Sequence, residues 1–146
     1  MTFSDLVKKQ LIGTPVTPED LTTVKKQLSY VFPSEYVEML KIADGGLWEN
    51  QRVIMYSCGD SMPMDDRLLT ANLNRAGAKL FFIGRFSEDE FGYKLDGLSI
   101  DSTQIFVQDH ETDELKLLAI NLSDFFAKFS KPTEKKKKKW YSFLFS

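Results

Sequence analysis

Four short runs between residues 80 and 120 dominate the hydrophobic pattern of the chain. LFFIG, residues 80–84, is apolar without a break, as a strand covered on both faces must be. Phe91, Tyr93 and Leu95 then alternate with Gly92, Lys94 and Asp96, the period of two expected of a half-buried strand. Ile105 and Val107 repeat the alternation. Leu115, Leu117 and Ala119 repeat it again, with Leu118 and Ile120 making that run apolar on both faces. Connections near 87–90, 97–103 and 109–113 are short enough for an antiparallel meander of four strands. An additional strand is predicted over 53–59, where VIMYSCG is rich in β-branched and aromatic residues between polar ENQ and GDSMP.

Around these runs the period changes to that of helices. Phe3, Leu6, Val7 and Leu11 predict a short helix ending near Gly13, and TPVTP breaks it. Thr17 is an N-cap with Pro18 at the first helical position, and Glu19 and Asp20 sit at the positive end of the helix dipole. Leu21, Val24 and Leu28 form the stripe of that helix. The next begins at Phe32-Pro33, places Tyr36, Leu40 and Ala43 on one side, and stops at Gly45-Gly46, one of which is expected to supply a left-handed C′ residue. A helix is predicted over 65–76 with Gly77 at its end. A last one spans 124–129, capped by Asn121 or Ser123, with Phe125, Phe126 and Phe129 inward. The class is therefore α+β: a single domain over 1–130, with an antiparallel sheet of mixed strand lengths, the four-strand meander plus the additional strand, and helices packed on it. Residues 131–146 form a basic and aromatic tail, expected to be flexible.

A chain of 146 residues is long enough to bury one core without staples. Cys58 is the only cysteine, so no internal disulfide can form. The start MTFSDLVKKQL lacks the apolar core of a signal peptide, and no apolar run approaches the about eighteen residues of a membrane span. A cytoplasmic location is expected. The net charge of −2 hides a split, since residues 1–130 hold thirteen basic and twenty acidic side chains, while 131–146 hold six lysines and one glutamate. Residues 84–114 alone carry nine carboxylates against Arg85 and Lys94. In a meander the first and third connections share one end of the sheet. Glu88, Asp89 and Glu90 should therefore meet Asp109, Glu111, Asp113 and Glu114 at one pole, a field that steers a basic partner and repels nucleic acid.

Catalytic and metal chemistry find little support. His110 is the only histidine, so no multi-histidine metal site or histidine-dependent triad can be built, and a turn-stabilising or exposed role fits it better. Cys58, in an apolar run, is expected to be a buried inert thiol. Asp109, Glu111 and Asp113 have the one-three-five spacing of a calcium loop, but Glu114 stands where that loop needs glycine and Ile120 where it needs a bidentate glutamate. No cofactor or metal is expected. Gly45-Gly46 follows a helix and so suits a helix end, not a phosphate cradle. Tyr36, Phe81, Phe82, Tyr93, Phe125 and Phe126 fall at core-facing periods. Five lysines followed by Trp140, Tyr141, Phe143, Leu144 and Phe145 would suit peripheral contact of residues 135–145 with an anionic membrane, or a solvated tail whose aromatic end docks on the domain.

Two segments resemble one family. FPSEYVEMLKIADGG is similar to the Leu-Pro-x-x-Tyr-x-x-x-Leu-x-x-x-x-Gly-Gly helix of the SUKH superfamily, with Pro33, Tyr36, Leu40, Gly45 and Gly46 at the motif positions. IFVQDHETDELKLLAINLSDFFAKF is similar to that family's closing strand, acidic turn, strand and helix, with Asp109, His110 and Glu111 in the turn. Order and spacing match from about residue 17 to 129. Phe32 replaces the usual leucine, Asp44 the usual asparagine, and the glycine-rich turn before the second meander strand is reduced to EDEFGYKLD with Gly92 alone. The resemblance implies a non-enzymatic domain that binds another protein. One form is a bacterial immunity protein that neutralises a cognate toxin, often a nuclease whose basic cleft would meet the acidic pole. The alternative is a regulatory scaffold, brought to a membrane by its tail. Neither form binds nucleic acid directly, and the oligomeric state stays open.

Overall fold

The computed structural model describes residues 2–48, 53–73, 75, 77–97 and 99–129. The expectations for residues 131–146, flexibility and membrane contact among them, lie outside the described residues. Helix α1 (Phe3–Gln10) opens with a capping box, in which Thr2 Oγ1 accepts the Asp5 amide and Asp5 Oδ2 accepts the Thr2 amide, both at 3.1 Å. Helix α2 (Pro18–Leu28) begins as its sequence dictates, with Thr17 Oγ1 accepting the Asp20 amide at 3.1 Å. Helix α3 (Ser34–Ile42) buries Tyr36, Met39 and Leu40. It does not end on a glycine. Ala43 is extended at φ −150°, the Asp44 amide is drawn to the Thr14 carbonyl at 2.9 Å, and the left-handed turn comes only at Gly45, φ 72°.

Six antiparallel strands follow in sheet order equal to chain order: β1 (Gly46–Leu47), β2 (Ile54–Met55), β3 (Leu80–Phe86), β4 (Asp89–Asp96), β5 (Ser99–Gln108) and β6 (Leu115–Ala119). The meander is as its alternation predicts. The additional strand over 53–59 shrinks to two paired residues and gains β1 as a neighbour, which at two residues is too short to show a period. Where β2 ends, the side chain of Asn72 completes the edge of β3. It accepts the Phe82 amide and donates to the Phe82 carbonyl, both at 2.8 Å.

The helix predicted over 65–76 is broken. A 3-10 turn (Met64–Asp66) and helix α4 (Leu68–Asn72) flank Arg67, which is extended. The cause is Ser57, whose amide donates to the Asp66 carbonyl at 3.1 Å and whose carbonyl accepts the Leu68 amide at 2.8 Å, pinning Arg67 in a strand-like bridge. Helix α5 (Leu122–Phe129) is capped by Asn121, whose Oδ1 accepts the Asp124 amide at 2.8 Å. No helix among the described residues is long and apolar enough to cross a membrane.

The core lies between the helices and one face of the sheet. Tyr36 meets Phe81 and Tyr93 edge-on at 5.9 and 6.0 Å, and Phe125 lies 4.8 Å from Phe91. Phe129 lies 5.3 Å from Phe86, and Trp48 stacks on Phe126 at 4.6 Å. Each such ring removes enough apolar surface from water to stabilise the fold by roughly 1.5–3 kcal/mol. The register sets Phe82, Gly92, Phe106 and Leu117 opposite one another in a row across the other face. At Gly92 a Cβ would come 1.8 Å from the Phe81 carbonyl oxygen, so no side chain fits there. Arg75 covers Phe82 at 4.4 Å, whereas Phe106 is partly buried and Leu117 is 44% exposed.

Candidate functional site at the acidic pole

The β3–β4 turn is only Ser87 and Glu88, so Asp89 and Glu90 are the first residues of β4 and not part of a loop. Ser87 takes φ 54°, where a glycine or asparagine is usual, and Arg85 Nη1 donates to its carbonyl at 2.7 Å. The β5–β6 turn over 109–114 is built by its own polar groups. Asp109 Oδ1 accepts the amides of Glu111 and Thr112 at 2.8 and 3.2 Å, and Asp113 Oδ1 accepts Gln108 Nε2 at 3.1 Å.

The two turns touch through His110. Its backbone amide donates to Asp89 Oδ1 at 3.0 Å, its Nδ1 lies 2.6 Å from the same oxygen, and its Nε2 is 3.7 Å from Glu88. The hydrogen bond to Asp89, supported by the charges of Glu88, Asp89 and Glu111, raises the His110 pKa above the ordinary imidazole range. All seven carboxylates thus lie on the two adjoining turns and the strand ends that carry them, as a meander requires.

They are not equivalent. Glu88, Glu111, Asp113 and Glu114 are exposed, Asp109 and Glu90 are half-buried, and Asp89 is 3% exposed. Glu90 is engaged inside the protein, accepting from the Tyr56 hydroxyl at 2.7 Å and pairing with Arg75 Nη2 at 2.9 Å. Burial and the neighbouring Glu90 push the Tyr56 phenol far above its usual range, so it remains a donor.

Beside the turns, on the sheet face away from the core, lies a hollow of about 410 Å³ bounded by Arg75, Lys79, Phe82, Glu88, Gln108 and His110. Sequence reasoning missed Arg75, Lys79 and Tyr56: the pairing of β2 with β3 brings Tyr56 to Glu90, and the segment between α4 and β3 sets Arg75 and Lys79 beside the hollow, neither of which local spacing announces. Asp89, Asp109 and His110 come within reach of a common ion. Hydrogen bonds from His110, Glu111 and Thr112 already engage their oxygens, so the group serves as the junction of two turns.

The motif residues are scaffolding. Pro33 precedes α3, and Tyr36 and Leu40 are fully buried. A Cβ on Gly45 would lie 2.7 Å from the Met55 carbonyl oxygen, and Gly46 follows at φ 137°. Asp44 holds the next segment with both oxygens, Oδ1 accepting the Cys58 amide at 2.7 Å and Oδ2 the Gly59 amide at 3.0 Å. Burial, then the charges of Asp44 and Asp20, push the Cys58 thiol up to about 12, which keeps it protonated and unreactive near neutral pH.

Comparison with curated proteins gave no match. The sequence profile of the SMI1 / KNR4 family (SUKH-1) matches residues 15–128. That span runs from just before the Thr17 cap almost to the end of α5, and takes in the motif glycines, the whole meander and both acidic turns. The chain belongs to the SMI1 / KNR4 family (SUKH-1).

Proposed function

We propose that the chain is a non-enzymatic, cytoplasmic immunity protein that neutralises a cognate toxin, a nuclease with a basic cleft, by binding it at the acidic pole. The family includes immunity proteins, which supports the class of function. The observation that carries the choice of surface is the junction of the two turns. His110 and Asp89 hold them together, so that Glu88, Glu111, Asp113 and Glu114 face solvent from one preorganised end of the sheet. Those four supply the main contacts to the partner. Asp89 and Asp109 set the shape of the turns, and Glu90 meets the partner from the rim of the hollow while held by Arg75 and Tyr56. A nuclease cleft built for phosphates offers the complementary charge, and such complementarity acts mainly on association rate.

The test is association of the full chain with a cognate nuclease toxin, at several salt concentrations. With Glu88, Glu111, Asp113 and Glu114 all changed to lysine, association should slow by roughly 10- to 1,000-fold at low salt and lose most of its salt dependence. An unchanged rate and salt slope would remove this face from the interaction.

A further inference from the structure

We infer that the chain's own tail is a ligand of the acidic pole, with Lys135, Lys136, Lys137, Lys138 and Lys139 on the two turns and the aromatics from Trp140 to Phe145 on the open sheet row beside them. Helix α5 ends close to the first acidic turn. Phe129, the last residue of α5, packs 5.3 Å from Phe86, the last residue of β3, immediately before the Ser87-Glu88 turn. Five residues, 130–134, separate Phe129 from Lys135. At no more than about 3.3–3.6 Å per residue, such a linker spans up to roughly 18 Å. That covers the first turn and the second, which touches it through His110.

Charge and polarity match in order as well as in kind. The exposed Glu88, Glu111, Asp113 and Glu114 meet a run of five lysines. Strand β6 then leads away from the turn through Leu115, partly buried, and Leu117, exposed and opposite Phe106. In the tail the lysines come first and the aromatics after. Lys94, 5.7 Å over the Phe106 ring, would repel the lysines from the row itself and confine them to the turns. A tether this short holds the lysines at an effective concentration on the order of millimolar, so individually weak contacts suffice. The inference needs the acidic pole but not the toxin. If both hold, the tail is the competitor that an incoming partner displaces.

The test places a spin label at the end of the full chain through Ser146→Cys, Cys58 being buried and its thiol protonated. Amide signals of residue 106 and of 111–117 should lose most of their intensity at low salt. They should recover at about 1 M salt, where the Debye length falls to about 3 Å. They should also recover in a variant with all five lysines, 135–139, changed to glutamine. Full intensity at those positions, or the same loss in the glutamine variant, overturns the inference. So does a loss that appears only when labelled and unlabelled chains are mixed, which would mean a second copy supplies the tail. Binding of the tail to anionic phospholipid vesicles without any intrachain effect assigns it to a membrane instead. The label experiment contains no toxin, so the two proposals fail separately.

Discussion

Asp44 stands where the family helix ordinarily carries asparagine, and its two oxygens accept two amides, the buried one of Cys58 and the half-buried one of Gly59. An amide side chain has one acceptor to offer where a carboxylate has two. Asp44→Asn should therefore leave one donor facing an NH2 group and lose about 1–3 kcal/mol in urea unfolding, with Asp44→Ala losing more. Retained stability in both variants would mean that water replaces the carboxylate.

His110 gives a pH signature instead. Its folded pKa lies above the ordinary value of 6.5, so the protonated form is favoured in the native state. The stabilisation is complete below that value and disappears as pH rises through the elevated one. The difference in unfolding free energy between the wild type and His110→Gln should thus be constant below about pH 6.5 and shrink above it. A gap that instead widens with pH would reverse the assignment. The charges of the pole were legible from the sequence, but their division into solvent-facing and internally engaged groups was not. Asp89 is taken by a residue 21 positions away and Glu90 by one 34 away.

Among elements, those whose signals are local are legible. Thr17 and Pro18 start α2, the alternation of 91–95 and 105–107 makes strands, and Asn121 caps α5. Those set by a distant strand are not. Nothing within 65–76 announces that Ser57 will pull Arg67 out of a helix, and β1 exists only because β2 lies beside it. The first acidic turn shows a residue at odds with its element. Ser87 holds φ 54° in a two-residue connection. Ser87→Gly should stabilise the protein by roughly 0.5–1 kcal/mol, the relief of left-handed strain exceeding the entropy that glycine adds to the unfolded chain. Thermal unfolding reads this directly, and a loss of stability would show that the serine side chain has a role of its own.

At the scale of the whole molecule, the acidic pole follows from two facts together: carboxylates concentrated at the first and third connections, and strands that pair in chain order. Either alone would leave the charge scattered. The gathering of carboxylates at one pole was thus partly legible, since the meander was, while the hollow and its cations required the folded chain. The same chain-order pairing has a kinetic side. Every strand pairs with its neighbour in chain order, and all but the β2–β3 pair, which spans the 3-10 turn and α4, close a short loop and can form early. The pairing of α1 with α5, where Phe3 meets Phe126 at 5.8 Å, instead joins the two ends of the domain. Among the described residues it closes a loop that spans almost the whole domain, so its loop-closure cost exceeds that of any strand pair.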